Sequence, residues 1–182
     1  MSLHEYLLRD PSCVGLAEGA VHAVAPLLDD PDPAPLLETL EAWAFELAGR
    51  MPLPWNFHEA VDALNAYLFQ ERGLRGDRET YDDPDNAVLP RVIERQRGLP
   101  ISLSILWMDQ ARRLGFEPLG IALPGHFIVG LKLDLGALYF DPFDGGRAVG
   151  DEDAARLVQA ATGGRAAFES SMLEPAPHRA LL

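Results

Sequence analysis

Three short stretches of the chain hold residues whose types and positions suit acyl-transfer chemistry. The first, Gly98-Leu-Pro-Ile-Ser-Leu-Ser104, opens the most apolar helix of the sequence. A helix N-terminus presents free N–H groups and partial positive charge, which stabilise an anion or a nucleophile of lowered pKa. The second, Leu123-Pro-Gly-His126-Phe127, carries an imidazole into a strand just after a Pro-Gly break. The third, Phe140-Asp141-Pro-Phe-Asp-Gly-Gly146, puts an acid at the end of the following strand. An acid that orients a histidine facing a helix N-terminus is the geometry of nucleophilic acyl transfer. A hairpin that pairs Leu133 with Leu138 sets Asp141 opposite Gly130. Residues 126 and 130 share parity, so His126 and Asp141 would point to one side of the sheet. A slip of one residue reverses that.

Each of these residues also has a plainer reading. A histidine such as His126 is often a hydrogen-bonded member of a small core, and an acid beside it then serves as its acceptor. A serine in the first turn of a helix usually caps it, by accepting a hydrogen bond from a backbone N–H. The run Tyr81-Asp-Asp-Pro-Asp-Asn86 is acidic enough to suggest calcium. Tested as an EF-hand loop from Asp83, however, its fifth position is Ala87 and its glycine position is Val88, and the match fails. Asx-turns and helix caps are the expected use of these side chains. The functional alternative is a loop that rims a cleft, with Tyr81, Asp83 and Asn86 joined by Glu94, Arg95 or Arg97 in touching a ligand. Trp55 and Phe57 read as a core plug.

Behind these residues stand helices first and strands last. Apolar stripes predict helices over about 16–27, 36–49 and 57–72, with a Pro-rich acidic break at 29–35. An irregular polar loop spans 74–86, and a short helix near 89–97 is closed by Gly98. The helix from Pro100 to Leu114 is apolar almost all round and belongs in the middle of a domain. After Gly115 the period changes to two, predicting strands over 119–123, 127–133 and 137–140, with a turn at Asp134-Leu-Gly136. A weak helix at 154–161 precedes a tail rich in Gly, Ala and Pro. The fold class is α+β. The expected division is a helical region over 1–55, a core over 56–150 and a tail over 151–182 that packs on the core.

Composition narrows the function. With a net charge of −13 and Lys132 the single lysine beside fourteen arginines, the chain is a poor partner for a phosphate backbone. It shows no apolar run of membrane-spanning length, and a secretory leader is not expected from Met1-Ser2-Leu3-His4-Glu5. One cysteine, Cys13, excludes an internal disulfide and a Cys-rich zinc site. A cytoplasmic protein with no cofactor and no metal is expected.

The order Tyr81-Asp-Asp-Pro-Asp-Asn86, Glu94-Arg95, Gly98-Leu-Pro-Ile-Ser-Leu103, Pro124-Gly-His-Phe127 and Asp141-Pro-Phe143 resembles the SirB-type branch of the transglutaminase-like superfamily, over residues 60–146. The resemblance implies a papain-like core, with a buried central helix packed on a small antiparallel sheet. It also implies a triad whose His and Asp are His126 and Asp141, and a cleft that includes Pro100 and Phe127. The superfamily sets its catalytic cysteine about fifteen residues before the glycine that ends the helix, and here that place holds Pro100. Ser102 and Ser104 are the available substitutes; Ser102, in the first turn, reads as a nucleophile or as a cap, with the cap favoured. Three readings remain open. They are a non-catalytic cleft that binds a peptide or protein, a hydrolase or acyltransferase using Ser102 or a water activated by His126 and Asp141, and a structural module completed by a further C-terminal region.

Overall fold

The central helix is where the fold begins. In the computed structural model, which describes residues 15–28, 31–51 and 56–176, three helices precede it: α1 (Leu16–Ala23), α2 (Ala34–Arg50) and α3 (Phe57–Asn65). The Asn56 side chain starts α3 by accepting from the Glu59 N–H at 2.9 Å, which satisfies one of the donors a helix start leaves open. The chain then widens into a π-helical turn, Ala66–Glu71, in place of a continued α-helix. A two-residue strand β1 (Arg75–Gly76), a 3₁₀ turn (Pro84–Ala87), α4 (Leu89–Arg95) and β2 (Arg97–Gly98) lead into α5 (Pro100–Arg113). Leu103, Leu106, Trp107, Met108 and Ala111 of α5 are at most 1% exposed, and burying each large one contributes roughly 1.5–3 kcal/mol. Cys13 and Trp55 lie outside the described residues.

A four-stranded antiparallel sheet follows, in the order β3 (Pro118–Leu123), β4 (His126–Lys132), β5 (Ala137–Asp141) and β6 (Arg147–Val149). It lies between two helices. Phe127, Val129, Leu131 and Phe140 turn to α5 and join one cluster with Leu16, Leu40, Leu64 and Trp107. Ile121, Leu123 and Ile128 turn the other way, onto Ala154 and Val158 of α6 (Asp151–Thr162). The N-terminal helices therefore share the main core with α5 and the sheet, while α6 builds a smaller core of its own. Among the described residues no helix is long and apolar enough to cross a membrane.

Three sequence expectations need correction. The β4–β5 hairpin pairs Leu131, not Leu133, with Leu138, and Lys132 with Ala137, because the turn takes four residues, 133–136, closed by the Leu133 N–H on the Gly136 carbonyl. The error is two residues, which preserves the face: one ladder step beyond Val129–Phe140, Asp141 falls opposite Ile128, of the same parity as His126. The short helix is closed by Gln96 in the left-handed region (φ 58°), where its side-chain amide donates to the Arg72 carbonyl at 2.8 Å. Gly98 instead pairs in parallel with Gly76. Finally, β6 closes the sheet where the sequence pattern shows no strand, since three residues are too few for an alternation to register.

Candidate binding cleft

His126 and Asp141 meet at the ends of neighbouring strands. Nε2 of His126 lies 2.9 Å from Oδ2 of Asp141. A carboxylate oxygen accepts and cannot donate, so Nε2 is the donor of this pair and Nδ1 is the ring nitrogen it leaves over. Oδ1 of Asp141 accepts from the Phe143 N–H, also at 2.9 Å, which fixes the carboxylate plane through the 3₁₀ turn Pro142–Asp144. Asp141 is buried, with a side chain 2% exposed, and the His126 side chain is 11% exposed at the floor of an open cleft of about 570 Å³. Nothing among the described residues hydrogen-bonds Nδ1.

Phe143 organises this floor. Its ring meets the His126 ring edge-on at 5.8 Å and the Tyr81 ring edge-on at 6.1 Å, geometries favoured by the aromatic quadrupole. Below, it presses on Gly76: a Cβ there would sit 2.6 Å from both the Phe143 ring and its carbonyl oxygen, so no larger residue fits. The opposite wall comes from Leu157, Ala160 and Ala161 of α6.

The start of α5 is a separate place. Ser102 is 1% exposed. Its hydroxyl donates to the Asn86 carbonyl at 2.7 Å and accepts from the Leu99 N–H at 2.9 Å, so its donor and an acceptor position are both in use. Asn86, fully buried, donates through Nδ2 to the Thr80 carbonyl at 2.7 Å and to Asp77 at 3.3 Å. Asp77 also accepts from the Thr80 hydroxyl and from the Thr80 and Glu79 N–H groups. These bonds, the Thr80 hydroxyl foremost, hold the Asp77 carboxyl far below the usual carboxylate range. The 77–86 loop is thus tied down from within, and Ser102 is sewn to it.

Of the residues expected around the cleft, the structure brings Tyr81, His126 and Asp141 together. It places the others elsewhere. Asp83 pairs with Arg95 at 2.7 Å, and Arg95 reaches Asp85 at 3.3 Å. The Asp85 N–H, followed by Arg95, lowers the Asp83 pKa. Asn86 is inside the loop, and Glu94 lines a different hollow against Leu28 and Pro35. Pro100 and Phe127 are buried, Phe127 in the core beneath the sheet. Sequence reasoning missed Phe143, Arg78, Arg147 and Asn65. Asn65 is a strut: its Oδ1 accepts from Trp107 Nε1 at 2.8 Å and its Nδ2 donates to the Gly146 carbonyl at 3.0 Å, so it ties the turn after Asp141 to the central helix. A polar residue at the end of an apolar helical stripe was the available signal. Among the described residues no group of three or more His, Cys, Asp or Glu side chains is placed to hold a metal ion.

A buried helix against an antiparallel sheet, with a histidine opening one strand and an acid closing the next, defines a mixed domain of the α+β class. The comparisons agree with that class. Residues 34–182 match the sequence profile of the transglutaminase-like superfamily, and the chain belongs to it. A UPF0162 protein of Xylella fastidiosa is 43% identical over 123 residues, 66% of this chain and 44% of that protein. A UPF0162 protein of Pseudomonas aeruginosa is 27% identical over 161 residues, 88% of this chain and 58% of that one. The mouse F-box only protein 21 is 29% identical over 108 residues, 55% of this chain and 17% of its own length. The chain thus spans less than half of the Xylella relative. No solved structure matches it.

Proposed function

We propose that this chain is a non-catalytic, SirB-type member of its superfamily that binds a peptide or protein segment in the His126–Asp141 cleft, in a cytoplasmic and regulatory role. The observation that carries the reading is the state of the α5 start. Pro100 stands where the superfamily's nucleophile is expected, and the Ser102 hydroxyl is engaged by Asn86 and Leu99. What persists is an open cleft with an aromatic floor and an oriented imidazole, which suits capture of a chain segment. The test is selection from a displayed peptide library on the whole chain, followed by affinities for wild type and His126→Ala. The expected result is a loss of roughly tenfold or more in the variant, with the bound peptide recovered intact by mass spectrometry. Peptides that bind both proteins equally would place recognition away from the cleft and end the proposal.

A second reading is favoured by one detail. Asp141 holds Nε2 of His126 and leaves Nδ1 over; were Nδ1 unprotonated and turned to the cleft, a water could lose a proton to it and attack a bound carbonyl, the amine leaving with that proton. Cleavage of the selected peptide, abolished in His126→Ala, is the outcome that would replace binding by hydrolysis.

A further inference from the structure

Arginines crowd the mouth of this cleft. Arg78 and Arg147 bracket a single carboxylate: Nη2 of Arg78 is 3.5 Å from Oδ1 of Asp144, and Nε of Arg147 is 3.1 Å from its Oδ2. Their side chains are 66% and 53% exposed, so most of their N–H groups face solvent over the His126 floor. The Arg78 guanidinium also lies over the Phe143 ring, 4.8 Å from its centre, which holds a flat, forked donor against the aromatic floor. Arg78 is shared with an adjoining hollow of about 320 Å³ that adds Arg75 and Arg97. Arg97 reaches the exposed Glu79 at 3.3 Å. Arg75 is exposed and has no acidic partner among the described residues.

The acids in the same region are already spoken for. Asp144 is divided between two guanidiniums, Asp153 pairs with Arg156 and lies 3.7 Å from Arg147, which is thereby shared between two acids, and the Asp77 carboxylate is enclosed by its own loop. On a chain with 28 acidic residues against 15 basic ones, four of the cations gather here with guanidinium N–H groups to spare. Of the acids that line these two hollows, Asp77, Glu79, Asp141 and Asp144 each already contact a donor. An acidic ligand would find forked donors that match a carboxylate's two oxygens.

We infer that the cleft takes a peptide segment bearing Asp or Glu side chains, its carboxylates on Arg78 and Arg75 and its backbone across His126; this rests on the cleft being a binding site. A nucleic acid fits less well, because carboxylates interleave with these arginines and the whole chain repels a polyphosphate.

The experiment is selection from a bead-displayed octapeptide library on the whole chain, repeated on Arg78→Ala/Arg75→Ala and on His126→Ala, with a labelled single-stranded oligonucleotide titrated in parallel. Both arginine side chains are exposed, so the double variant should fold, which circular dichroism verifies. Asp and Glu should be enriched among binders to wild type, and the double variant should weaken the best acidic binder by roughly tenfold or more. Binders that depend on His126 but are neutral or basic, or acidic binders indifferent to the double substitution, overturn the charge assignment and leave the cleft reading standing. So does oligonucleotide binding that requires Arg78 and Arg75. Failure to select any binder that depends on His126 overturns both.

Discussion

The first turn of α5 and the ends of β4 and β5 hold similar side chains and use them in opposite ways. At the helix start, the Ser102 hydroxyl, the Asn86 amide nitrogen and the Asp77 carboxylate are spent on one another and on nearby backbone, and all three residues are buried. At the strand ends, Asp141 spends both oxygens on holding His126 and the turn behind it, and the imidazole keeps one nitrogen for something else. A hydroxyl used to sew a loop to a helix is a weak starting point for catalysis, whereas an oriented ring at an open cleft is a candidate site. Under the proposed function the helix start serves structure, and the strand ends serve the ligand.

The sharpest way to break this comparison is at the turn that supports the strand ends. Gly146 has φ +76°, and a Cβ there would overlap the Asn65 side chain. Gly146→Ala should lower stability by about 2–4 kcal/mol in urea unfolding and weaken cleft binding with it. A change within experimental error would show that Asn65 does not fix the turn. A smaller effect is expected from Ser102→Ala, roughly 1 kcal/mol of stability from the lost hydrogen bonds. Ligand affinity should stay within about twofold, because no ligand contact is removed. If affinity fell with Ser102, the helix start would belong to the site and the contrast would collapse.

The last of these effects concerns Asp77, whose loss should tell most near neutral pH and least in acid. Its folded pKa is depressed, chiefly by the Thr80 hydroxyl. Its contribution is therefore present above the unfolded value, about 3.9, and is lost as pH falls below that toward the folded one. Asp77→Asn should flatten the decline of stability below about pH 4 relative to wild type. An unaltered acid limb would remove Asp77 from the loop's electrostatics.

Much of this was legible in the sequence. The apolar sweep of Leu103, Leu106, Trp107 and Ala111 marked the central helix, and alternation marked β3 to β5. The parity argument put His126 and Asp141 on one face even though its register was two residues off, since a slip of two changes partners and leaves the face intact. The facing of His126 was harder to read. Ile128 packs on α6, and Leu157, Ala160 and Ala161 wall the cleft, whereas periodicity says which residues share a side and not what covers it. The rim of the cleft was hidden for a similar reason. Arg78 sits in a loop without a period, and its partners Asp144 and Phe143 lie more than sixty positions away, a separation no local pattern spans.

The π turn at Ala66–Glu71 has a consequence for how the chain tolerates change. It separates Asn65, which holds Gly146, from Gly76, on which Phe143 rests. A π turn contains one residue more than the α-helix it interrupts. Deleting that residue would restore a regular helix at a cost of about 100° of rotation between its two ends. Length variation here, unlike in the 133–136 turn, is therefore expected to shift Asn65 and Gly76 relative to one another and to be read at the imidazole they support.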